Sequence, residues 1–340
     1  MHILVTGGAG YIGSHVVKQL IEETNDSVTI LDNLSTGHEA TIQSLKEMFD
    51  ANQRENRSFN FIQIDLADFI KVEEIFAQKG FDALIHFAAS IVVPESVENP
   101  LKYYMNNTVN TTNVISMCVK YGVKKMIFSS TAAVYGDAKE LPVKETTPKA
   151  PINPYGWSKL MSEQVITDTC LAHDNFDAVI LRYFNVAGAD EQNRIGQSFP
   201  NATHLIKVAA QTALGKREKM ALFGEDYETK DGTCERDYIH VDDLASAHLR
   251  ALEYLDKEDK DSPDIFNVGY GHGFSVTEVI ETMKEVSGVD FKVDKEPRRL
   301  GDPAILISDN SKTKRLLNWT PKYDDIKLIC KTALEWEKTV

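Results

Sequence analysis

Short Val/Ile/Leu-rich runs bounded by turn residues alternate with longer stretches of helical period through the first half of the chain. That alternation is the pattern of βαβ units wound around a parallel sheet. It predicts strands at Ile3–Thr6, Ser27–Leu31, Phe59–Gln63, Ala83–Phe87, Lys125–Ser129 and Ala178–Arg182, with helices at Tyr11–Glu23, Pro100–Tyr121 and Tyr155–His173 among those between them. Runs such as Ile3-Leu4-Val5 and Met126-Ile127-Phe128 are continuously apolar, as a sheet covered on both faces requires. Six such strands imply an α/β fold with a doubly wound, Rossmann-type parallel sheet. After about residue 185 the alternation gives way to polar, turn-rich stretches at 224–237 and 253–264. A sheet domain over residues 1–185 and a smaller mixed domain over 186–340 are therefore expected, with an approximate boundary that leaves room for interleaving. The Asp/Lys run at 256–261 reads as a solvated loop.

Composition narrows the function. Lys and Arg total 37 against 51 Asp and Glu, a net charge of −14, which repels nucleic acid and anionic membrane surfaces. Any anionic ligand must then be met by local basic residues. Cys118, Cys170, Cys234 and Cys330 are too scattered for a metal or redox motif and read as reduced thiols. The opening Met-His-Ile-Leu-Val-Thr-Gly-Gly lacks the basic and long apolar regions of a leader, and no 18-residue apolar run occurs. A cytoplasmic protein with no metal site is the expectation.

Directly after the first strand, Gly7-Gly8-Ala9-Gly10-Tyr11-Ile12-Gly13 opens an amphipathic helix. Glycines there permit a tight turn and close approach of a pyrophosphate, and the helix N-terminus offers unpaired N–H groups and a positive dipole end. Asp32 follows 19 residues after Gly13 at the end of the second strand, where a carboxylate can accept both adenosine ribose hydroxyls; alternatively it merely opens the Asp32-Asn33 turn. No Arg or Lys occurs between Asn33 and His38 to meet a 2′-phosphate, which favours NAD over NADP.

Tyr155-Gly156-Trp157-Ser158-Lys159 places a phenol and an ammonium at i and i+4 on one helix face, with Asn153 and Pro154 as cap and first-turn residues. A free tyrosine titrates near 10, so a base working near pH 7 needs about 4 kcal/mol of help. Lys159 and a cationic nicotinamide ring are the expected sources. Phe128-Ser129-Ser130-Thr131 ends an apolar strand in three hydroxyls at the ligand-facing edge of such a sheet; Thr131 either handles a substrate hydroxyl or caps the next turn.

Together the glycine segment, Asp32-Asn33-Leu34, Asp65-Leu66, His86-Phe87-Ala88-Ala89, Phe128–Thr131, Val134–Asp137, Tyr155xxxLys159 and Arg182–Asn185 resemble the extended short-chain dehydrogenase/reductase family. Leu222-Phe223-Gly224, the segment Asp231–Ala245 and Arg299-Leu300-Gly301-Asp302 are similar to its UDP-hexose 4-epimerases, so the likeness runs from Met1 past Trp319. The resemblance implies an isomerase of nucleotide-sugar and galactose metabolism that interconverts UDP-glucose and UDP-galactose reversibly through a transient 4-keto sugar. NAD would be resident, Tyr155 the base, Thr131 its aid, and Lys159 the holder of the nicotinamide ribose. By the same carry-over Gly7, Gly10, Tyr11, Ile12, Gly13, Asp32, Asn33, Asp65, Leu66, Phe87, Ala88, Ala89, Asn106, Ser129, Tyr155, Lys159 and Tyr183 line the cofactor. Thr131, Tyr155, Asn185, Leu205, Ala221, Phe223, Arg236, Arg299, Asp302 and Leu306 match positions that hold the UDP-sugar. The two arginines suit a diphosphate, to which a guanidinium donates bidentately.

The chain also departs from the family. Ile91 stands where several members carry Lys, Val186 follows Asn185 where proline is usual, and Leu306 replaces the tyrosine or cysteine beside the sugar. A 4-epimerase of UDP-GlcNAc/UDP-GalNAc or of UDP-glucuronate therefore stays open. A 4,6-dehydratase fits poorly, because Ala132-Ala133 replace the acid pair that elimination needs. From another class, a non-catalytic NAD-binding sensor or scaffold is opposed by the intact Thr131, Tyr155 and Lys159. Family likeness further implies a homodimer paired through the 100–121 and 155–173 helices, with Val114 as a candidate interface position.

Overall fold

A computed structural model describes residues 1–52, 54–199, 203–257, 260–299 and 302–340. Leu300 and Gly301 of the Arg299–Asp302 motif, and 258–259 of the Asp/Lys run, lie outside the described residues. The chain forms β1 (His2–Thr6), α1 (Tyr11–Glu23), β2 (Ser27–Asp32), α2 (Glu39–Ala51), β3 (Phe59–Gln63), α3 (Phe69–Gln78) and β4 (Ala83–His86). Then come α4 (Val93–Glu98), α5 (Pro100–Tyr103), a π-helical turn (Tyr104–Val109), α6 (Asn110–Tyr121), β5 (Lys125–Thr131), a 3-10 turn (Ala132–Tyr135), α7 (Pro154–Ala172) and β6 (Asp177–Tyr183). All six anticipated strands are present; β1, β2, β5 and β6 are longer by a residue or two, and β4 ends one residue earlier than expected.

The second half supplies β7 (Asn185–Ala187), α8 (Leu205–Ala213), β8 (Met220–Phe223), β9 (Glu235–Arg236), β10 (Tyr238–His240) and α9 (Val241–Tyr254). It continues with β11 (Asp264–Val268), β12 (Phe274–Ser275), α10 (Val276–Ser287), β13 (Val293–Glu296), β14 (Ile305–Leu306), α11 (Ser311–Leu316) and α12 (Ile326–Glu337). The main sheet is parallel throughout and has seven strands rather than six, in the order β11-β6-β5-β4-β1-β2-β3. The unanticipated seventh, β11, comes from the second half, and α9 packs against α1 beneath the same sheet. Small two- and three-stranded sheets organise the rest of that half.

Strand order reverses between β1 and β4, so a crevice opens above their carboxyl ends, where ligands bind in open α/β sheets. Buried Ile3, Val5, Ile85 and Ile127 face one helical layer, and Leu4, Leu84, Met126 and Phe128 the other. The expected 100–121 helix is a continuous rod but widens in the π-helical turn, which carries Asn106 and Asn107. Val114 is fully buried in the core between α6 and the sheet, which corrects its reading as an interface position. No described helix is long and apolar enough to cross a membrane, no described group of acidic, His or Cys residues could hold a metal, and all four cysteines are free thiols.

Candidate active site

The glycine turn is dictated by space. Gly7 adopts φ +74°, and a Cβ there would meet the Ala88 nitrogen at 2.7 Å; one on Gly13 would collide with the Gly7 carbonyl. Gly10 is the N-cap of α1 with no side chain capping the helix, so the first amides of α1 face the crevice. Asp32 closes the cradle: its Oδ2 accepts the Ala9 N–H at 3.0 Å and its Oδ1 the Leu34 N–H at 2.8 Å. Both readings of Asp32 thus have a physical basis, because a carboxylate bound to two amides keeps lone pairs for a ribose. Asn33 Nδ2 reaches Asp65 Oδ2 at 2.8 Å, which brings the Asp65-Leu66 turn beside Asp32. A cradle that any Cβ would fill, an uncapped helix start and an acidic strand end fit a dinucleotide pyrophosphate and its adenosine ribose.

Across the crevice stand the ends of β4, β5 and β6. Asn153 caps α7, its side chain accepting the Gly156 N–H at 2.9 Å, and Pro154 occupies the first turn. Lys159 is buried and donates to the Ser129 carbonyl at 2.8 Å, with its ammonium 4.8 Å from the centre of the Phe128 ring. Burial pulls Lys159 down to about 7, against the opposing Glu163 carboxylate. Tyr155 is 8% exposed, edge-on to Tyr103, and burial raises its phenol while the Thr131 hydroxyl lowers it. Burial thus outweighs the Thr131 hydrogen bond at the Tyr155 phenol, and lowering it takes positive charge brought near the ring. Thr131 also accepts the Ala133 N–H at 3.1 Å, so it caps the 3-10 turn and faces Tyr155 at once.

His248 and Asn107 were missed by the sequence reading, which named only Asn106 beside them. His248 of α9 accepts from Ser129 Oγ at 2.9 Å while its Nδ1 lies 2.9 Å from the Leu244 carbonyl, and its ring packs on Phe87 and Tyr183. Burial holds it neutral, down to about 4. Asn107 accepts the Ser90 N–H at 2.7 Å and donates to the Ser90 carbonyl and Ser158 Oγ, both at 3.0 Å, so the loop after β4 is tied to α7. Asn106 reaches Ser90 Oγ at 3.1 Å, and Ile91 beside it is exposed. The π-helical turn that aims both asparagines has no periodicity signal, although an Asn-Asn pair inside a helix was a cue.

The anticipated UDP-side residues all lie on or beside the small strands of the second half. Arg236 Nη2 pairs with Asp302 Oδ1 at 2.7 Å, and the Arg299 guanidinium lies 3.8 Å over the Phe223 ring. Leu306 is the register partner of Arg236 and packs, half-buried, against the cluster of Ala132, Val134, Tyr135, Val143 and Phe184. Ala221 lies two residues before Phe223 on β8. Asn185 and Leu205 line a small cavity with Tyr11, Tyr238 and Trp336, and the Asn185 N–H donates to the carbonyl of Asp237, the residue after Arg236, at 2.9 Å.

A family model described as "NAD dependent epimerase/dehydratase family" matches residues 3–269. A UDP-glucose 4-epimerase of Azospirillum brasilense is 46% identical over 99% of this chain and 92% of its own length. The solved UDP-Glc/GlcNAc 4-epimerase of Campylobacter jejuni is 57% identical, with TM-score 0.85 over 100% of this chain and 99% of that one. The UDP-glucose 4-epimerase of Bifidobacterium longum, solved with NAD+ and UDP, is 35% identical with TM-score 0.92, covering 100% and 98%.

Proposed function

Because the chain belongs to the NAD dependent epimerase/dehydratase family, we propose that it interconverts UDP-glucose and UDP-galactose at C4, with NAD as a resident cofactor. The observation that carries this is the meeting of Tyr155, Thr131 and Lys159 at the strand ends opposite the glycine cradle. When bound, NAD would supply a hydride acceptor for C4 and a hydride donor to the opposite sugar face, chemistry with no net oxidation. Tyr155 takes the 4-hydroxyl proton and gives it back, Thr131 holds that hydroxyl, and Lys159 keeps positive charge beside the phenol. The glycine turn, Asp32, Asn33, Asp65 and Leu66 hold the adenosine end; Phe87, Ala88, Ala89, Asn106, Ser129, Lys159 and Tyr183 hold the rest. Arg236 and Arg299 meet the diphosphate, Asp302 and Phe223 the nucleoside, and Leu306 borders the sugar.

Residues 1–185, completed by α9 and β11, form the cofactor half, and the remainder forms the substrate half. The test is a coupled assay across UDP-galactose, UDP-GalNAc and UDP-galacturonate, together with the rise in reduced-nicotinamide absorbance when sugar nucleotide is added. Turnover of none of the three at C4, with no reduced nicotinamide formed, refutes the reading. Acceptance of N-acetyl sugars is the second reading, supported by Leu306, which is shorter than tyrosine and leaves more room, and by the Campylobacter jejuni relative.

The enzyme works as a homodimer. Val97, Leu101, Met105 and Val109 recur every four residues and stay exposed, as do Trp157 and Met161 on α7. A second copy turned by a two-fold axis covers this stripe with the same stripe, the isologous contact that commonly buries such a face. Four free thiols suit a reducing compartment, and we place the enzyme in the cytoplasm.

A further inference from the structure

Tyr155, Lys159 and Glu163 recur every four residues, so one face of α7 carries a phenol, an ammonium and a carboxylate in order. Glu163 is 3% exposed and both its oxygens are engaged. Ser130 Oγ donates to Oε1 at 2.5 Å, Arg182 Nε donates to Oε1 at 3.0 Å, and Arg182 Nη2 donates to Oε2 at 2.5 Å. Ser130 and Arg182 are register partners on adjacent β5 and β6, each one residue before the Thr131–Tyr183 pair at the strand ends. The other side of the guanidinium is closed by the Tyr135 hydroxyl at 2.9 Å, which donates its own hydrogen to Asn267 Oδ1 at 2.6 Å. A carboxylate held at both oxygens by two strands fixes the rotation and height of its helix. Its attraction is largely offset by desolvation, so stability alone is a weak account of a buried ion pair here.

We propose that Glu163 is the positioning residue of the catalytic helix: clamped by Ser130 and Arg182, it sets where Tyr155 and Lys159 stand against β5 and β6 and gives the Lys159 ammonium its facing negative charge. This rests on the epimerase reading above. The groups around the face are Arg182 and Tyr183 of β6, Tyr135, His86 of β4, Tyr103 of α5 and, beyond Ser129, His248 of α9. His86 and His248 are held neutral by burial. The remaining carboxylate, Glu145, is engaged at Oε1 by the Asn267 N–H at 2.8 Å. Glu163 is the group that opposes the burial of Lys159. Its removal makes the ammonium lose its proton at lower pH, so the alkaline limb of kcat moves downward.

In purified NAD-loaded protein assayed with UDP-galactose, Glu163→Gln should lower kcat by at least about ten-fold with KM little changed, because misplacement of about 1 Å costs on the order of 100-fold. Its alkaline limb should move down by about half a pH unit or more, and amide exchange across residues 155–163 should quicken, a readout independent of turnover. Glu163→Asp, which keeps the charge, should restore the limb though not the full kcat. Should Glu163→Gln not fold, the pair Glu163→Gln/Arg182→Met leaves no lone buried charge and carries the same expectation. A folded variant with the wild-type limb and wild-type α7 protection overturns the proposal. Wild-type protein inactive at C4 of every UDP-sugar would instead overturn the epimerase reading.

Discussion

Replacing Asp32 with asparagine separates two roles that one carboxylate combines. Asp32 is 9% exposed and accepts two amides, from Ala9 at 3.0 Å and Leu34 at 2.8 Å. Asparagine offers one oxygen and one NH2, so one of those amides faces a donor. An amide left without its acceptor costs about 1–3 kcal/mol. At roughly 2–4 °C per kcal/mol, that lowers Tm by several degrees. The ribose hydroxyls lose a charged acceptor as well, worth about 1.5–3 kcal/mol, or roughly ten- to hundred-fold in NAD affinity. Differential scanning fluorimetry of NAD-free protein reads the first effect, and titration with NAD monitored by calorimetry reads the second. A lower Tm with unchanged NAD affinity refutes ribose recognition and leaves only the turn. An unchanged Tm with weaker NAD binding refutes the structural role deduced from the two amides.

Tyr155→Phe should keep fold and bound NAD while kcat falls about 10²–10⁴-fold, because the ring still packs edge-on to Tyr103; wild-type turnover would remove Tyr155 from the mechanism. Stability should fall on acidification. His86 is lowered to about 3, and His240 and His248 to about 4, so below pH 6.5 the unfolded chain binds protons that the fold refuses. The cost grows from pH 6.5 down to about 4, near 2 kcal/mol per histidine at pH 5, and equal denaturant midpoints at pH 7 and 5 would contradict it. Leu101→Glu, on the exposed stripe, should halve the mass seen by light scattering, and an unchanged dimer would refute that interface. Leu306→Tyr should depress UDP-GalNAc turnover more than UDP-galactose turnover, by about 1–3 kcal/mol in kcat/KM; an unchanged ratio in a stable variant means Leu306 does not border the sugar.

The elements that sequence made legible are those governed by local rules. Strand starts at Ser27, Phe59, Ala83 and Lys125 match the apolar runs, and α1 spans the expected Tyr11–Glu23. The glycine turn was legible because only glycine tolerates the approach of Ala88 to Gly7. β11 was not, because Asp264-Ile265-Phe266-Asn267-Val268 is short and interrupted by polar residues that look like turn material. Those same residues are explained by tertiary partners: Asp264 accepts from the Tyr254 hydroxyl at 2.8 Å, and Asn267 takes the Tyr135 hydroxyl. Val114 was misplaced because helical period shows that a face is apolar without telling which neighbour covers it. At this position the cover is the core of the chain itself, shared with strand residues such as Met126 and with Phe76 of α3 and Ile166 of α7.

Buried charge explains most of what the pattern concealed. Lys18 and His15 sit on the apolar side of α1, yet both are buried: Lys18 Nζ reaches Asp190 at 2.9 Å and Asp242 at 2.7 Å, and His15 Nδ1 reaches Asp242 at 2.7 Å. Asp242 opens α9, the helix whose His248 holds Ser129 beneath Lys159. One helix of the second half therefore touches both the cofactor helix and the catalytic strand. Breaking any of these pairs leaves a lone charge in the core, a cost of about 3–5 kcal/mol, whereas the intact set offers little net stability. Such groups contribute geometry more than stability: they fix how far the glycine turn of α1 stands from the hydroxyls of β5. Lys18, paired to Asp242, does this for the cofactor side of the crevice; Glu163, paired to Arg182, does it for the catalytic helix on the other side.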